Sequence, residues 1–579
     1  MISTIRRRAA SRCIASLLAL LLFIVPTLEL SAQRRLVSQA EGARPRLVLL
    51  IVVDQFRYDY LDRFGDLFSA GGIKRLLREG ASWTNANYDH VPTETAPGHA
   101  TLMTGTWPAN TGIVGNSWFD RDEGKLVTSV SDESVKLLGG GESETASSPH
   151  RLLASTLGDE LRLATQDRAK VIGISLKDRS AILPAGRHAS AAYWFSTQTG
   201  NMVSSSYYLT QLPAWVVRFN QSRFADRYFG ARWERLLPEA EYEKRAGADA
   251  PSWENIGRVK DTNTFPHNIT GGAQKPGREF YEALEYSPFA NELLEAFAEQ
   301  AIINEGLGAD DDTDLLSVSF SSNDYVGHRF GPYSHEEMDM VLRVDRQIEK
   351  LLNFVEAHVG LRRTIVVFTA DHGVAPIPEH AATLNLPGGR VKRDAILNAI
   401  REAIRARYGR EKEYVQHFTN GNVYFDLAAL RRDGIARAEI ERLAAEAVMT
   451  VPGVARCFTR TQLEMHGVSS SDPIARRVYN GFNSRRNGEL VIVYEPFKFS
   501  SEFPAGTTHG TPYSYDTHVP LIIMGAGVRP GRYAQAATPA DIAPTLATLL
   551  RVQPPSSATG RALVEALDSD ALRARAELR

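Results

Sequence analysis

Carboxylates and imidazoles recur along this 579-residue chain at places suited to holding metal ions. Asp324 and His328 stand four residues apart in Asp324-Tyr325-Val326-Gly327-His328. On a helical turn that spacing puts both side chains on one face, where they can grip one ion. Asp371-His372 follows one apolar run and Asp54 ends another. His509 lies among small residues in Thr507-Thr508-His509-Gly510-Thr511-Pro512, where an imidazole can approach an ion without crowding. Such donors are the usual ligands of catalytic zinc, and the same oxygen and nitrogen set suits manganese or cobalt. So many ligands fit a pair of ions roughly 4 Å apart, which can clamp the attacking and leaving oxygens of an in-line displacement. Thr95, in Thr93-Glu94-Thr95-Ala96-Pro97-Gly98-His99, is the candidate nucleophile, since a threonine hydroxyl attacks only when something activates it. Taken singly, each motif has a plain structural reading: a helix-surface pair, a capping turn, a loop histidine.

The elements that must position these groups are legible in the apolar pattern. Arg46 to Val53 is a continuous apolar, β-branched run of the kind found in buried parallel strands. Leu315 to Phe320, Thr364 to Thr369 and Val519 to Met524 repeat the pattern, and a helix is expected from about Tyr58 to Gly80. Strands alternating with helical segments predict an α/β fold with a mostly parallel central sheet flanked by helices. Ligands of such sheets bind beyond the carboxyl ends of the strands. Asp54, Asp324 and Asp371 all lie at or just past strand ends, so one rim should carry them.

Together these motifs resemble the alkaline phosphatase superfamily. The resemblance rests on Asp54 after its strand, Thr95-Ala96-Pro97-Gly98-His99-Ala100-Thr101, Asp324 to His328, Thr369-Ala370-Asp371-His372-Gly373 and His509-Gly510-Thr511, in that order. Within the superfamily the chain is most similar to the phosphate-irrepressible type with a threonine nucleophile. The resemblance implies two Zn2+ per chain, one held by Asp54, Asp371 and His372 with Thr95, the other by Asp324, His328 and His509. It also implies roles for three residues that set the monoesterase type apart. Asn116, in Gly115-Asn116-Ser117-Trp118, matches an asparagine that donates to a phosphoryl oxygen. Lys177 and Arg179, after the run Val171 to Ser175, match a Lys-x-Arg pair aimed at the same group. A monoester dianion carries more charge on its non-bridging oxygens than a diester, so extra cations there stabilise the transition state. The implied activity is hydrolysis of small-molecule phosphate monoesters through a covalent phosphothreonine.

Bulk properties agree with a globular enzyme. Hydrophobic residues make up 43% and charged residues 23%, with a formal net charge of −2 and no basic bias toward nucleic acid. Arg6, Arg7 and Arg8, the apolar stretch from about Ile14 to Leu28, and Leu30-Ser31-Ala32 predict a signal peptide over 1–32 and an exported, periplasmic or secreted, protein. Of the two cysteines, Cys13 lies in that segment, so Cys457 alone would remain, as a buried structural thiol. The catalytic domain is then expected over 33–579. It should carry insertions at about 119–288, as a cap or loops bearing Lys177 and Arg179, and at about 386–480, as a small α+β module with an arginine-rich solvated face.

Two other functions compete with the monoesterase reading. A phosphodiesterase or nucleotide pyrophosphatase of the same superfamily would share the metal ligands and lack the lysine–arginine pair. A non-catalytic secreted metal-binding protein would keep the ligands without turnover, though Thr95 then has no structural task. Sulfatases need a Cys or Ser where Thr95 stands. Glu94 has no assigned role, and His99 is read as support for the nucleophile turn. His335, His380, His518 and Asp345 are read as accessory or exposed.

Overall fold

The computed structural model describes residues 44–249, 252–254, 262–409, 413–500, 505–569 and 571–572. The expected signal peptide and Cys13 lie outside the described residues. At the centre stands β1 (Leu47–Val53), all seven residues of which are buried. A strand covered on both faces must be apolar throughout, and each Leu, Ile or Val so buried contributes roughly 1.5–3 kcal/mol. The same sheet holds β2 (Ala81–Trp83), β3 (Leu137–Leu138), β4 (Val171–Ser175), β5 (Ala191–Phe195), β6 (Met202–Ser205), β7 (Asp314–Phe320) and β8 (Thr364–Thr369). After a module with strands β9 (Val415–Thr419), β10 (Asn422–Phe425), β11 (Val454–Thr459) and β12 (Leu490–Tyr494), it is completed by β13 (Leu521–Gly525) and β14 (Gly531–Tyr533). The ten strands run in the order β14-β2-β13-β8-β1-β7-β4-β5-β6-β3.

Register is what positions the site. β1 pairs in parallel with β7 and β8, with Val53 opposite Phe320 and Val52 opposite Thr369. The three carboxyl ends are therefore level, and Asp54, the start of α3 (Ser322–Phe330) and the loop at Asp371-His372 leave the sheet on one rim. Two more helices face that rim, α1 (Thr95–Thr104) and α2 (Asp178–Ala185), the second entered directly from β4 through Lys177. Behind α3 runs α4 (His335–His358).

Four expectations need correction in detail. Val519 to Met524 is a strand from Leu521, and it runs antiparallel to both of its neighbours, β8 and β2, inside the sheet. The helix expected over 58–80 is broken into Tyr60–Arg63 and Ile73–Glu79. Asp345 accepts from the backbone N–H of Ser69 and Ile73 and starts the second piece. The stretch 119–288 is not only cap and loops: it supplies β3, β4, β5 and β6 to the central sheet. The α+β module runs past residue 480, because its central strand β12 lies beyond that point.

The module is a four-stranded antiparallel sheet, ordered β9-β10-β12-β11, covered by α5 (Arg393–Tyr408) and α6 (Arg437–Val448). Ile396, Ile400, Ile440 and Ala444 pack with Val423 and Leu490 in its own core. Its outer arginines are solvated and paired, Arg401 with Glu413 and Arg407 with Glu439. Cys457, on β11, is half-buried, and burial pushes its thiol up to about 12.

Candidate active site

Asp54, Asp371 and His372 are fully buried and present one ligand atom each within 4.8 Å of one another. His372 Nε2 lies 3.5 Å from Asp54 Oδ1 and 3.4 Å from Asp371 Oδ2. A second triad, Asp324, His328 and His509, meets the same limit. His328 Nε2 is 3.2 Å and His509 Nε2 3.7 Å from Asp324 Oδ1. The triads are neighbours: the rings of His372 and His509 stack at 3.6 Å, and Lys177 Nζ donates to Asp54 Oδ2 at 2.7 Å and to Asp324 Oδ2 at 2.6 Å.

The imidazoles are aimed alike. His372 Nδ1 faces Gly373 O at 2.9 Å, His328 Nδ1 faces Thr507 O at 2.7 Å and His509 Nδ1 faces Thr93 O at 2.7 Å. A carbonyl can only accept, so each Nδ1 carries the proton and each Nε2 offers a lone pair to its triad, the tautomer a metal requires. Asp54 Oδ1 is buried and makes no hydrogen bond. An orphaned carboxylate oxygen beside such an imidazole fits a bound cation.

Charge tells the same story. Burial, then Asp371, pushes the Asp54 carboxyl well above its ordinary value, although Lys177 opposes them. Burial also works to raise Asp324, but His328 and Lys177 outweigh it and hold that carboxyl well below the usual range. Burial, then His372 and His328, keeps His509 neutral. Asp54 thus lacks the positive charge its ionised form needs, and the groups at hand supply only part of it.

Thr95 is the first residue of α1 and is 1% exposed, with its Oγ1 3.4 Å from His372 Nε2. The free N–H groups and dipole of a helix N-terminus favour an anion there. Gly98 lets the helix approach the rim, since a Cβ at that position would sit 2.2 Å from Asp371 O. His99 locks the contact, with Nδ1 2.9 Å from Thr95 O and 3.2 Å from Asp371 Oδ2, and Nε2 2.9 Å from Ser319 Oγ. It occupies the supporting place expected of it.

Asn116 Oδ1 accepts from Ala96 N at 2.8 Å, which turns its amide N–H2 away from the helix and frees it to donate elsewhere. Its own backbone N–H is held by Glu94 Oε2 at 2.7 Å, and the same oxygen accepts from Asn420 Nδ2 at 3.3 Å. Burial raises Glu94 to about 7. Sequence reasoning left Glu94 without a role. It is a bracket between the nucleophile turn, Asn116 and the tip of the β9–β10 hairpin, and no local pattern marks it.

The Arg179 side chain is about a quarter exposed, at 27%, whereas Lys177 is 3% exposed. Burial works to lower its pKa, but Asp324 and Asp54 raise it and keep the ammonium charged. Its place between the triads was not expected from sequence, which aimed it at a phosphoryl oxygen alone. Arg179, in the first turn of α2, has a buried Nε without a hydrogen bond, and its charge is sustained by Asp178, Tyr325, Asp54 and Asp324 against burial. Every residue singled out for this site therefore lies on one rim or against it.

Known proteins resemble the chain throughout. A family model described as Type I phosphodiesterase / nucleotide pyrophosphatase matches residues 48–497. The alkaline phosphatase PhoV of Synechococcus elongatus is 38% identical over 527 residues, covering 91% of this chain and 93% of that protein. A protein of Myroides odoratus named calcium-transporting ATPase is 37% identical over 528 residues, covering 91% of this chain and 95% of its own. The crystal structure of wild type alkaline phosphatase PafA matches with a TM-score of 0.84 at 35% identity, over 91% of this chain and 99% of that one.

Proposed function

This chain belongs to the Type I phosphodiesterase / nucleotide pyrophosphatase family, and from that premise we propose that it is an alkaline phosphatase with Thr95 as its nucleophile. Its substrates are small-molecule phosphate monoesters. The observation that carries the reading is the position of Thr95 Oγ1 beside His372, at a helix N-terminus and next to two ligand triads.

Asp54, Asp371 and His372 would hold one cation and Asp324, His328 and His509 a second, zinc on this reading, and the pair would supply a lowered pKa for a hydroxyl and charge to neutralise a departing alkoxide. The chain's own residues do the rest. Thr95 Oγ1 attacks phosphorus in line with the ester oxygen, the bond to that oxygen breaks, and the alcohol leaves with a proton. Water then attacks phosphorus, the bond to Thr95 breaks, and inorganic phosphate departs. Asn116 donates its free amide N–H to a non-bridging oxygen, while Lys177 and Arg179 face the charge that a diester lacks. The buried Lys177 and the half-buried Arg179 beside it support monoesterase over diesterase action, although the family name covers diesterases.

The reading includes export, carried by residues 1–32. Among the described residues no helix is long and apolar enough to cross a membrane. Metal analysis joined to p-nitrophenyl phosphate turnover tests the whole proposal. Two zinc ions per chain are expected, with near-total loss of turnover in Thr95→Ala. A Thr95→Ala enzyme that works at the native rate would end it.

A further inference from the structure

Gln55 touches both triads. It follows Asp54 at the end of β1, is fully buried, and has a φ of 67°. That left-handed turn is uncommon for a residue with a long side chain. Here it points the two ends of one residue in different directions. The backbone N–H of Gln55 donates to Asp371 Oδ1 at 3.0 Å. The side-chain Nε2 donates to Asp324 Oδ1 at 2.6 Å. One neutral residue therefore holds a carboxylate of each triad, as Lys177 does with its charge.

A second feature shows that the surroundings are shaped for this amide. Gly327 lies on α3 between the ligands Asp324 and His328. A Cβ there would stand 1.9 Å from Gln55 Oε1. Glycine weakens the interior of a helix, so its presence between two ligands has a packing reason, which is room for the glutamine. A glutamate at position 55 would add charge to Asp54, Asp371, Asp324 and the buried Glu337, whereas the amide donates without adding any.

We infer that Gln55 is a positioning residue that fixes the spacing of the two triads, and that Gly327 exists to admit it. The inference rests on the proposal that the triads hold metal ions. Outer contacts of this kind change metal affinity by about 10- to 100-fold when removed. The effect should fall on the Asp324 triad, because only there does the side chain make the bond.

Gln55→Asn is the informative variant. Asparagine tolerates the left-handed turn and so keeps the backbone bond to Asp371, but its shorter amide cannot reach Asp324. Zinc affinity of the full chain is measured by chelator competition, with the thermal unfolding midpoint of the metal-free protein alongside. Gln55→Asn should weaken the zinc ion at the Asp324 triad about 10- to 100-fold and leave affinity for the other ion unchanged, beyond any small fall in the metal-free midpoint. Gly327→Ala should do the same by displacing the amide, although alanine favours the helix. Unchanged affinity for both ions in Gln55→Asn would overturn the inference, as would a loss at both that tracks a lower metal-free midpoint. A wild-type chain that binds two zinc ions yet hydrolyses no phosphate ester would sink the phosphatase reading and leave this one standing.

Discussion

The two triads face each other across one ammonium, yet they are assembled by different means. Asp54, Asp371 and His372 leave the ends of β1 and β8, neighbouring strands in fixed register, and all three are fully buried. Asp324 and His328 sit on α3, and His509 comes from a loop far along the chain. His328 keeps 28% of its side chain exposed. The first set offers two carboxylates and one imidazole, the second one carboxylate and two imidazoles. A dication is held more firmly by two buried anionic oxygens than by one, because the attraction scales with charge and grows in a low dielectric. On the proposed reading the buried triad would keep its ion beside Thr95, and the more open one would face the group that leaves.

The largest effect expected from this contrast comes from removing one ligand on each side. Asp371→Ala and His509→Ala should both abolish turnover, each with one zinc ion retained in metal analysis. If Asp371→Ala kept both ions, the assignment of that carboxylate would fail. Next come Lys177→Ala and Arg179→Ala. Each should lower kcat for a monoester by about 10²- to 10³-fold, the usual cost of one charge-stabilising donor. Diester hydrolysis should suffer far less, and equal losses on both substrates would remove the pair from the monoesterase argument.

Smaller effects probe the supports. His99→Ala takes away the imidazole beside Asp371 and should weaken zinc at the buried triad alone by about 10- to 100-fold, as read by chelator titration. Loss at the other triad instead would mean that His99 acts on the fold and not on the ion. Smallest is a difference in rate. Under limiting chelator the holoenzyme should release zinc in two phases, the faster from the Asp324 triad, and one phase would erase the distinction drawn here.

Much of this site is legible before folding because each motif is local. An apolar run that ends in Asp54 states both the strand and its carboxyl end. Asp324 and His328 need only one helical turn to share a face, and α3 supplies it. The segments that failed are those whose state is set from elsewhere. The helix expected over 58–80 breaks where Asp345, on α4, caps its second piece. Residues 119–288 look irregular because short strands such as β3 show too little alternation to betray the sheet they join.

What the sequence by itself determined is the inventory: the ligand types, the threonine, the lysine–arginine pair, and the strand ends that bring most of them to one rim. What tertiary structure alone decided is who touches whom. Asn420 reaches Glu94 across 326 residues, Lys177 lands between Asp54 and Asp324, and Gln55 spans both triads. Such contacts depend on sheet register and on which loops the core presses together. Hydrophobic periodicity records which face of an element is buried, and it carries no trace of the distant polar atom that face will meet.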